Sequence, residues 1–390
     1  MQKSFEPIDK LEPLEPLTIS SSTENYTVII GNDVVNEVVK KYPEAIYLID
    51  DFFDACLALP KNQCISIHAD EETKSLERIS EVIIQLKQLG VNRSTHLVAI
   101  GGGCIQDIAT FAASIYMRGI TWSFMPTTLL SMVDSCIGGK SSINVAGCKN
   151  LVGNFYPPQD IIIDVNFTQT LDPEQIIGGL FEAEKICYAR GSAEYTAYLF
   201  EQPHSQIDAD ALHRITYQSL QAKKWFIEID EFDKKERLLL NFGHTFGHAI
   251  EAGTNFAVSH GIAVGLGMLI AAYYSKQQNL INKQAMHRID QLITHIKTML
   301  QSIVLIQPND ININLFLKKF EDDKKHQADC YRMVCPTGHG DLALITAPKN
   351  HATQLAIKTA YLTALTDIGW DFKHSELNQS KQQSLDYSEN

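Results

Sequence analysis

The run HLVAIGGGCIQDIATFAASIYMRG, residues 96–119, constrains the fold more than any other stretch of the chain. An apolar strand-like segment meets three consecutive glycines, Gly101, Gly102 and Gly103, and passes directly into a helical pattern. Glycine lets backbone amides approach an anion closely, and the N-terminus of the following helix adds a favourable dipole. A pyrophosphate would fit there. The spacing is not GxGxxG, however, and a tight strand-to-helix turn with no ligand accounts for the same residues. Around it, short β-rich runs such as YTVII (26–30) and AIYLID (45–50) alternate with helical patterns such as SLERISEVIIQLKQLG (75–90). Strands alternating with helices predict a parallel sheet in an α/β domain.

After DIIIDVNF (160–167) the pattern changes to long amphipathic helices from about 174 to 322, interrupted by the polar DEFDKKER, and YRMVCPTGHGDLALI (331–345) reads as a hairpin. With 390 residues, 45% of them hydrophobic, the chain can build two cores. The expected organisation is an extended arm over 1–18, an α/β domain over 19–173, a mainly helical domain over 174–372 and a polar, disordered tail over 373–390.

A formal charge of −13 argues against nucleic acid or an anionic membrane as partner. No segment approaches the roughly 18 apolar residues of a membrane span, and the opening MQKSFEPIDKLEPLEPL has no run of the signal-peptide kind. Eight cysteines occur without a CxxC pair, which suits reduced thiols in the cytoplasm.

In NFGHTFGHAIEAG, His244 and His248 stand four apart, on one face of a helix, a common metal-binding spacing. Thr245 occupies the place of the glutamate in HExxH, so a peptidase would lack its base. His260 opens the next helical run. A lone histidine is more often a cap or a core residue; three within positions 244–260 favour a metal. A carboxylate would complete such a site, and Glu182 in GGLFEAEK is a candidate, with Lys185 on the same face. The same two residues could equally be a surface pair. The stretch PTTLLSMVDSCIGGKSSINVAGCKN (126–150) reads as a loop in which Asp134, Lys140, Lys149 and Asn150 sit among Gly, Ser and Thr. It offers donors and cations for phosphate or carboxylate, or it is a solvated loop.

GGGCIQD, YMRG, PTTLL, VDSCIGGK, KN, the GLFE…K helix, NFGHTFGHAIEAG, a downstream HG and DKK follow one another in the order and nearly the spacing of the 3-dehydroquinate synthases. The chain resembles that family, within the sugar-phosphate cyclases, over roughly residues 26–346. The resemblance implies an N-terminal Rossmann-like NAD-binding domain, a C-terminal mainly α-helical metal-binding domain, an active site in the cleft between them, and a homodimer. It implies Glu182, His244 and His260 as ligands of a divalent metal, zinc foremost and cobalt as an alternative, which moves His248 from ligand to phosphate contact. It places Asp50, Glu71, Lys74, Gly102, Gly103, Asp107, Thr127, Thr128, Lys149 and Thr170 on NAD. Asp134, Lys140, Asn150, Lys185, Lys223, Arg237, Asn241 and one of Lys324 or Lys325 would face a phosphorylated sugar acid, with Arg118 reaching in from the partner subunit.

The chemistry implied is transient oxidation by NAD, β-elimination of phosphate, return of the hydride and intramolecular aldol closure. Departures from the usual pattern are Asp233 for Glu, Gln106 for a glycine, Phe181 for a small residue and EKIC for IKYG. They leave room for a cyclase making another cyclitol. A glycerol dehydrogenase-type metal-dependent alcohol dehydrogenase shares the two-domain plan and the GGG loop, and a degenerate cyclase that only binds ligand is the non-enzymatic alternative.

Overall fold

The computed structural model describes residues 11, 14–32, 34–303 and 312–369. Residues 1–10, 12 and 13 of the expected arm, and the whole expected tail 373–390, lie outside them. By packing, the chain divides into two compact units, Met1–Gly179 with Ala197–Glu201 and Ile207–Phe232, and Leu180–Thr196 with Gln202–Gln206 and Asp233–Asn390.

The first unit carries β1 (Leu17–Ile19), β2 (Tyr26–Ile30), α1 (Val34–Lys41), β3 (Ile46–Asp50), β4 (Cys64–Ile67), α2 (Leu76–Gln88), β5 (Leu97–Gly101), α3 (Gly103–Ile115), β6 (Trp122–Pro126), β7 (Ile143–Val145), β8 (Cys148–Val152) and β9 (Asp160–Ile163). Seven of these strands form a sheet in the order β1-β2-β9-β6-β5-β3-β4. Only β1 with β2 is antiparallel; the other pairings are parallel. Strands β5, β6 and β9 are buried at every residue, as a sheet covered on both faces requires. Full burial of side chains such as Ile100, Phe124 and Ile161 stabilises the unit by about 1.5–3 kcal/mol each. Helix α2 shows the local logic well. Ser75 caps it by accepting from the Arg78 amide, Ile79, Val82 and Leu86 face the core, and Gly90 in the left-handed region ends it.

Helix α4 (Pro173–Arg190) begins in the first unit, where Gly179 packs against Leu129 so closely that a Cβ would lie 2.7 Å from the leucine Cβ. It is followed by α5 (Ser192–Phe200) and α6 (Ala209–Ile229). The sequence pattern groups α6 with the helices of the second half, whereas the structure groups it with the sheet. Its Ser219 hydroxyl donates to the Val133 carbonyl at 2.9 Å, and its Lys223 reaches the same turn.

The second unit holds α7 (His244–Gly253), α8 (His260–Gln277), α9 (Met286–Gln301), α10 (Ile313–Glu321), the antiparallel pair β10 (Cys330–Thr337) and β11 (Asp341–Pro348), and α11 (His351–Asp367). Gly261 to Ala272 of α8 are all buried, which is the fate of a helix apolar on every side. The hairpin expected over 331–345 is β10–β11. Residues 126–150, expected as loop, are instead built around a five-residue π-type turn, Ser131–Ser135, and the β7–β8 hairpin. All eight cysteines are free thiols. Among the described residues no helix is long and apolar enough to cross a membrane.

Candidate metal centre and nucleotide cradle

In the second unit, α4 supplies Glu182, the start of α7 supplies His244 and the start of α8 supplies His260. Ligand atoms of the three lie within 4.8 Å of one another. Glu182 Oε1 stands 3.8 Å from His244 Nε2 and 3.4 Å from His260 Nε2. That oxygen is buried and accepts no hydrogen bond. The other oxygen, Oε2, accepts from Lys185 Nζ at 2.5 Å, a pair buried on both sides rather than the surface pair the spacing alone allows. A buried carboxylate oxygen left unsatisfied between two imidazoles is costly unless a cation sits there, and one acid with two imidazoles is a donor set that suits a dication such as zinc.

Each imidazole is held from behind. His244 Nδ1 is 3.2 Å from the Phe242 carbonyl, and His260 Nδ1 is 3.1 Å from Glu251 Oε2. Burial, with Lys185 and the neighbouring rings adding to it, holds His244 far below the ordinary imidazole range, so it is neutral and able to ligate. For His260 burial pulls the same way, but the carboxylates of Glu182 and Glu251 outweigh it and push the ring up to about 10. A dication bound among these groups would take the place of that proton.

Glycines set how closely α7 and α8 cross. A Cβ on Gly267 would lie 2.0 Å from the Gly243 carbonyl oxygen, and one on Gly247 would lie 2.9 Å from the Ala263 carbonyl. Gly243 itself has φ +78°, which glycine alone tolerates easily at the head of α7. Replacing Gly267 with Ala must therefore spread the helices that bear His244 and His260. We expect a loss of about 1–3 kcal/mol in stability together with weaker metal retention, measured by urea unfolding and metal content after dialysis. An unchanged midpoint would contradict this packing.

His248 lies on the same face, its ring 5.5 Å from that of His244 and 5.9 Å from that of His260. Its Nδ1 is 3.3 Å from Lys325 Nζ, while Lys324 is exposed, so Lys325 is the member of that pair brought to the cluster. Asp323 lies 3.7 Å from His248; burial raises its carboxyl, but His248 and Lys325 overcome this and hold it well below the usual range. Arg237 is buried and Asn241 donates to the Leu238 carbonyl, both in the short helix before α7.

In the first unit the three glycines end β5 and cap α3. A Cβ on Gly101 would meet Ile105 at 2.5 Å and one on Gly102 would meet Thr128 at 2.9 Å. Neither has positive φ, so close approach and not backbone strain requires glycine here. The amides at the head of the 13-residue α3 are thus bare of side chains beside Thr127 and Thr128, a cradle able to take a pyrophosphate. Beside it Lys74 Nζ reaches Glu71 at 3.3 Å, Asp107 at 3.2 Å and Asn150 Oδ1 at 2.9 Å. Burial pushes Asp107 up to about 6 against the pull of Lys74. Asn144, which sequence reasoning missed, donates to Glu71 and accepts from the Asn150 amide, fixing Asn150 at φ +53°. Asp50 ends β3, Thr170 lies in the short helix after β9, and Arg118, Lys140 and Lys149 are exposed. Asp134 pairs with Lys223, Oδ1 to Nζ at 2.5 Å.

The departures from the family pattern have local partners. Gln106 is buried, donating to the Ser135 carbonyl and accepting from its hydroxyl. Phe181 occupies the space that a Cβ on Gly265 would need. Glu184, in EKIC, accepts from Tyr195 and pairs with His295. Asp233 has φ +60° in the turn after α6.

An α/β unit with a bare-glycine cradle and a helical unit with an acid and two imidazoles around an unsatisfied oxygen belong to the dehydroquinate synthase-like fold. Solved structures of this class include 2-deoxy-scyllo-inosose synthase with carbaglucose-6-phosphate, NAD+ and Co2+ (TM-score 0.75, 24% identity, 89% of this chain and 99% of that one). The 2-epi-5-epi-valiolone synthase of Streptomyces hygroscopicus, with NAD+ and Zn2+, aligns at TM-score 0.71 and 24% identity over 90% of this chain and 99% of that one. The "probable glycerol dehydrogenase" of Sinorhizobium meliloti is more distant, at TM-score 0.57 and 13% identity over 87% and 96% of the two chains.

The family models for the 3-dehydroquinate synthase N-terminal and C-terminal regions match residues 64–178 and 179–326. The 3-dehydroquinate synthase of Dictyoglomus turgidum is 33% identical over 343 residues, 85% of this chain and 94% of its own length. That of Clostridium tetani is 36% identical over 327 residues, 82% of each chain. The chain belongs to the 3-dehydroquinate synthase family.

Proposed function

We propose that this protein converts 3-deoxy-D-arabino-heptulosonate 7-phosphate to 3-dehydroquinate and phosphate, as a carbon–oxygen lyase of the shikimate pathway acting in the cytoplasm. The reading is carried by relatives of that name that match more than four-fifths of the chain at 33–36% identity. The solved structures of the same fold, with NAD+ and Co2+ or Zn2+, support NAD and a divalent metal as cofactors; of the metals, an acid with two imidazoles suits zinc foremost.

When bound, NAD supplies a reversible hydride acceptor and the dication acidifies and polarises the alcohol being oxidised. Glu182, His244 and His260 would hold the ion; Gly102, Gly103, Thr127, Thr128, Asp50, Glu71, Lys74, Asp107, Lys149 and Thr170 would hold the nucleotide. Lys223 and Arg237 suit the substrate carboxylate, the arginine by its fork of parallel donors. Asp134, Lys185 and Asn241 would orient the ring hydroxyls. Lys140, Asn150, His248, Lys325 and the Arg118 of a second subunit would grip the phosphate until it leaves by β-elimination. The assembly in this reading is a homodimer.

The test is a substrate comparison. Phosphate release from the heptulosonate phosphate, and not from a heptulose 7-phosphate that lacks the carboxylate, is the expected result. Release from the heptulose alone would assign the chain to another cyclitol, and NADH accumulation from a simple polyol would assign it to a dehydrogenase.

A further inference from the structure

We infer that Glu251 is a positioning residue for the metal centre, holding His260 in the tautomer and ring orientation that present Nε2 to the ion. The inference rests on Glu182, His244 and His260 being the ligand set. Glu251 stands seven residues after His244 and three after His248 on α7, so all three line one face of the helix. The two nitrogens of His260 face opposite carboxylates, with Nδ1 3.1 Å from Glu251 Oε2 and Nε2 3.4 Å from Glu182 Oε1. A proton on Nδ1 donated to Glu251 leaves the Nε2 lone pair directed at Glu182, where the ion would sit. A carboxylate behind the ring also raises its basicity as a ligand. His244 is backed only by a neutral carbonyl, so the two imidazoles are tuned differently.

The backbone of Glu251 serves the same end. Its carbonyl accepts from the Phe256 amide at 2.7 Å, closing a turn in which Asn255 and Phe256 are both left-handed. That turn leads to His260, so one residue fixes both the path of the chain and the angle of the ring. With a side chain only 14% exposed, Glu251 is placed for an internal role.

Glu251 also belongs to a second trio, with His248 and His260, whose donor atoms lie within 4.8 Å. A direct ligand role there is disfavoured because Lys325 Nζ stands 3.3 Å from His248 Nδ1 and would repel a second dication.

Zinc affinity of the full chain, measured by chelator competition, tests the inference. Glu251→Ala should weaken zinc by about 10- to 100-fold. Glu251→Gln should fall between Ala and wild type, because its amide oxygen still accepts from Nδ1 but without charge. All variants should bind one zinc per chain. Wild-type zinc affinity in both variants would overturn the inference. So would a fall from two zinc ions to one in Glu251→Ala, or a lowered metal-free melting temperature with zinc affinity intact. His260→Ala and Glu182→Gln run in parallel keep the two readings apart: if they retain wild-type zinc affinity, the ligand set itself is wrong.

Discussion

A Glu182→Gln chain is expected to lose about a thousandfold in turnover, equivalent to some 4 kcal/mol of transition-state stabilisation, and to lose its metal with it. The substitution keeps the shape of the side chain and removes the one negative charge between His244 and His260. It also strips Lys185 Nζ of the carboxylate oxygen 2.5 Å away, inside a region where both side chains are at most 3% exposed. A strong chelator should reproduce the loss in the wild-type chain, and added zinc or cobalt should reverse it there but not in the variant. Metal content and initial rates measured on the same samples decide the matter. Full turnover in a variant shown to be metal-free would remove the ion from the mechanism.

Lys223→Met is expected to destabilise the first unit by about 3–5 kcal/mol, the cost of breaking a buried pair from one side. Lys223 Nζ reaches Asp134 Oδ1 and the Asp134 carbonyl at 2.5 Å and the Ile137 carbonyl at 3.1 Å, so it clasps the π-type turn to α6. Urea unfolding measures the loss. Adding Asp134→Asn to Lys223→Met should recover part of it, because it also removes the charge that Lys223 had paired. A single variant as stable as wild type would mean that the pair contributes nothing to the fold.

Much of the fold was written in local pattern. The alternation of short β-rich runs with helical patterns told of a parallel sheet, and the step from LVAI into three glycines located the head of α3. The segment 126–150 was illegible for a physical reason. Strand β7 has three residues, too few to show alternation, its pairing with β8 shifts register, and β8 is exposed at every residue, so no face is marked by hydrophobicity. The allegiance of α6 depends on Ser219 and Lys223 finding one distant turn, which periodicity does not encode.

The metal cluster was half legible. His244 and His260 were prominent by their number and glycine setting, whereas Glu182 with Lys185 has the spacing of an ordinary solvated pair, and only burial separates the two cases. Glu251 left no signal, since a glutamate on an amphipathic helix is normally a surface residue. Its partner lies nine positions on, beyond the turn that brings His260 back.

In the proposed reaction a bound nicotinamide is used and restored within each turnover, so that cyclisation and phosphate loss occur without net oxidation. This is tested by following phosphate, dehydroquinate and NADH together while the zinc-loaded chain, with NAD, consumes heptulosonate phosphate. Phosphate and dehydroquinate should appear in equal amounts, many times the enzyme concentration, with no net NADH. NADH rising in step with substrate loss, or substrate left intact by a chain that holds both cofactors, would contradict the account.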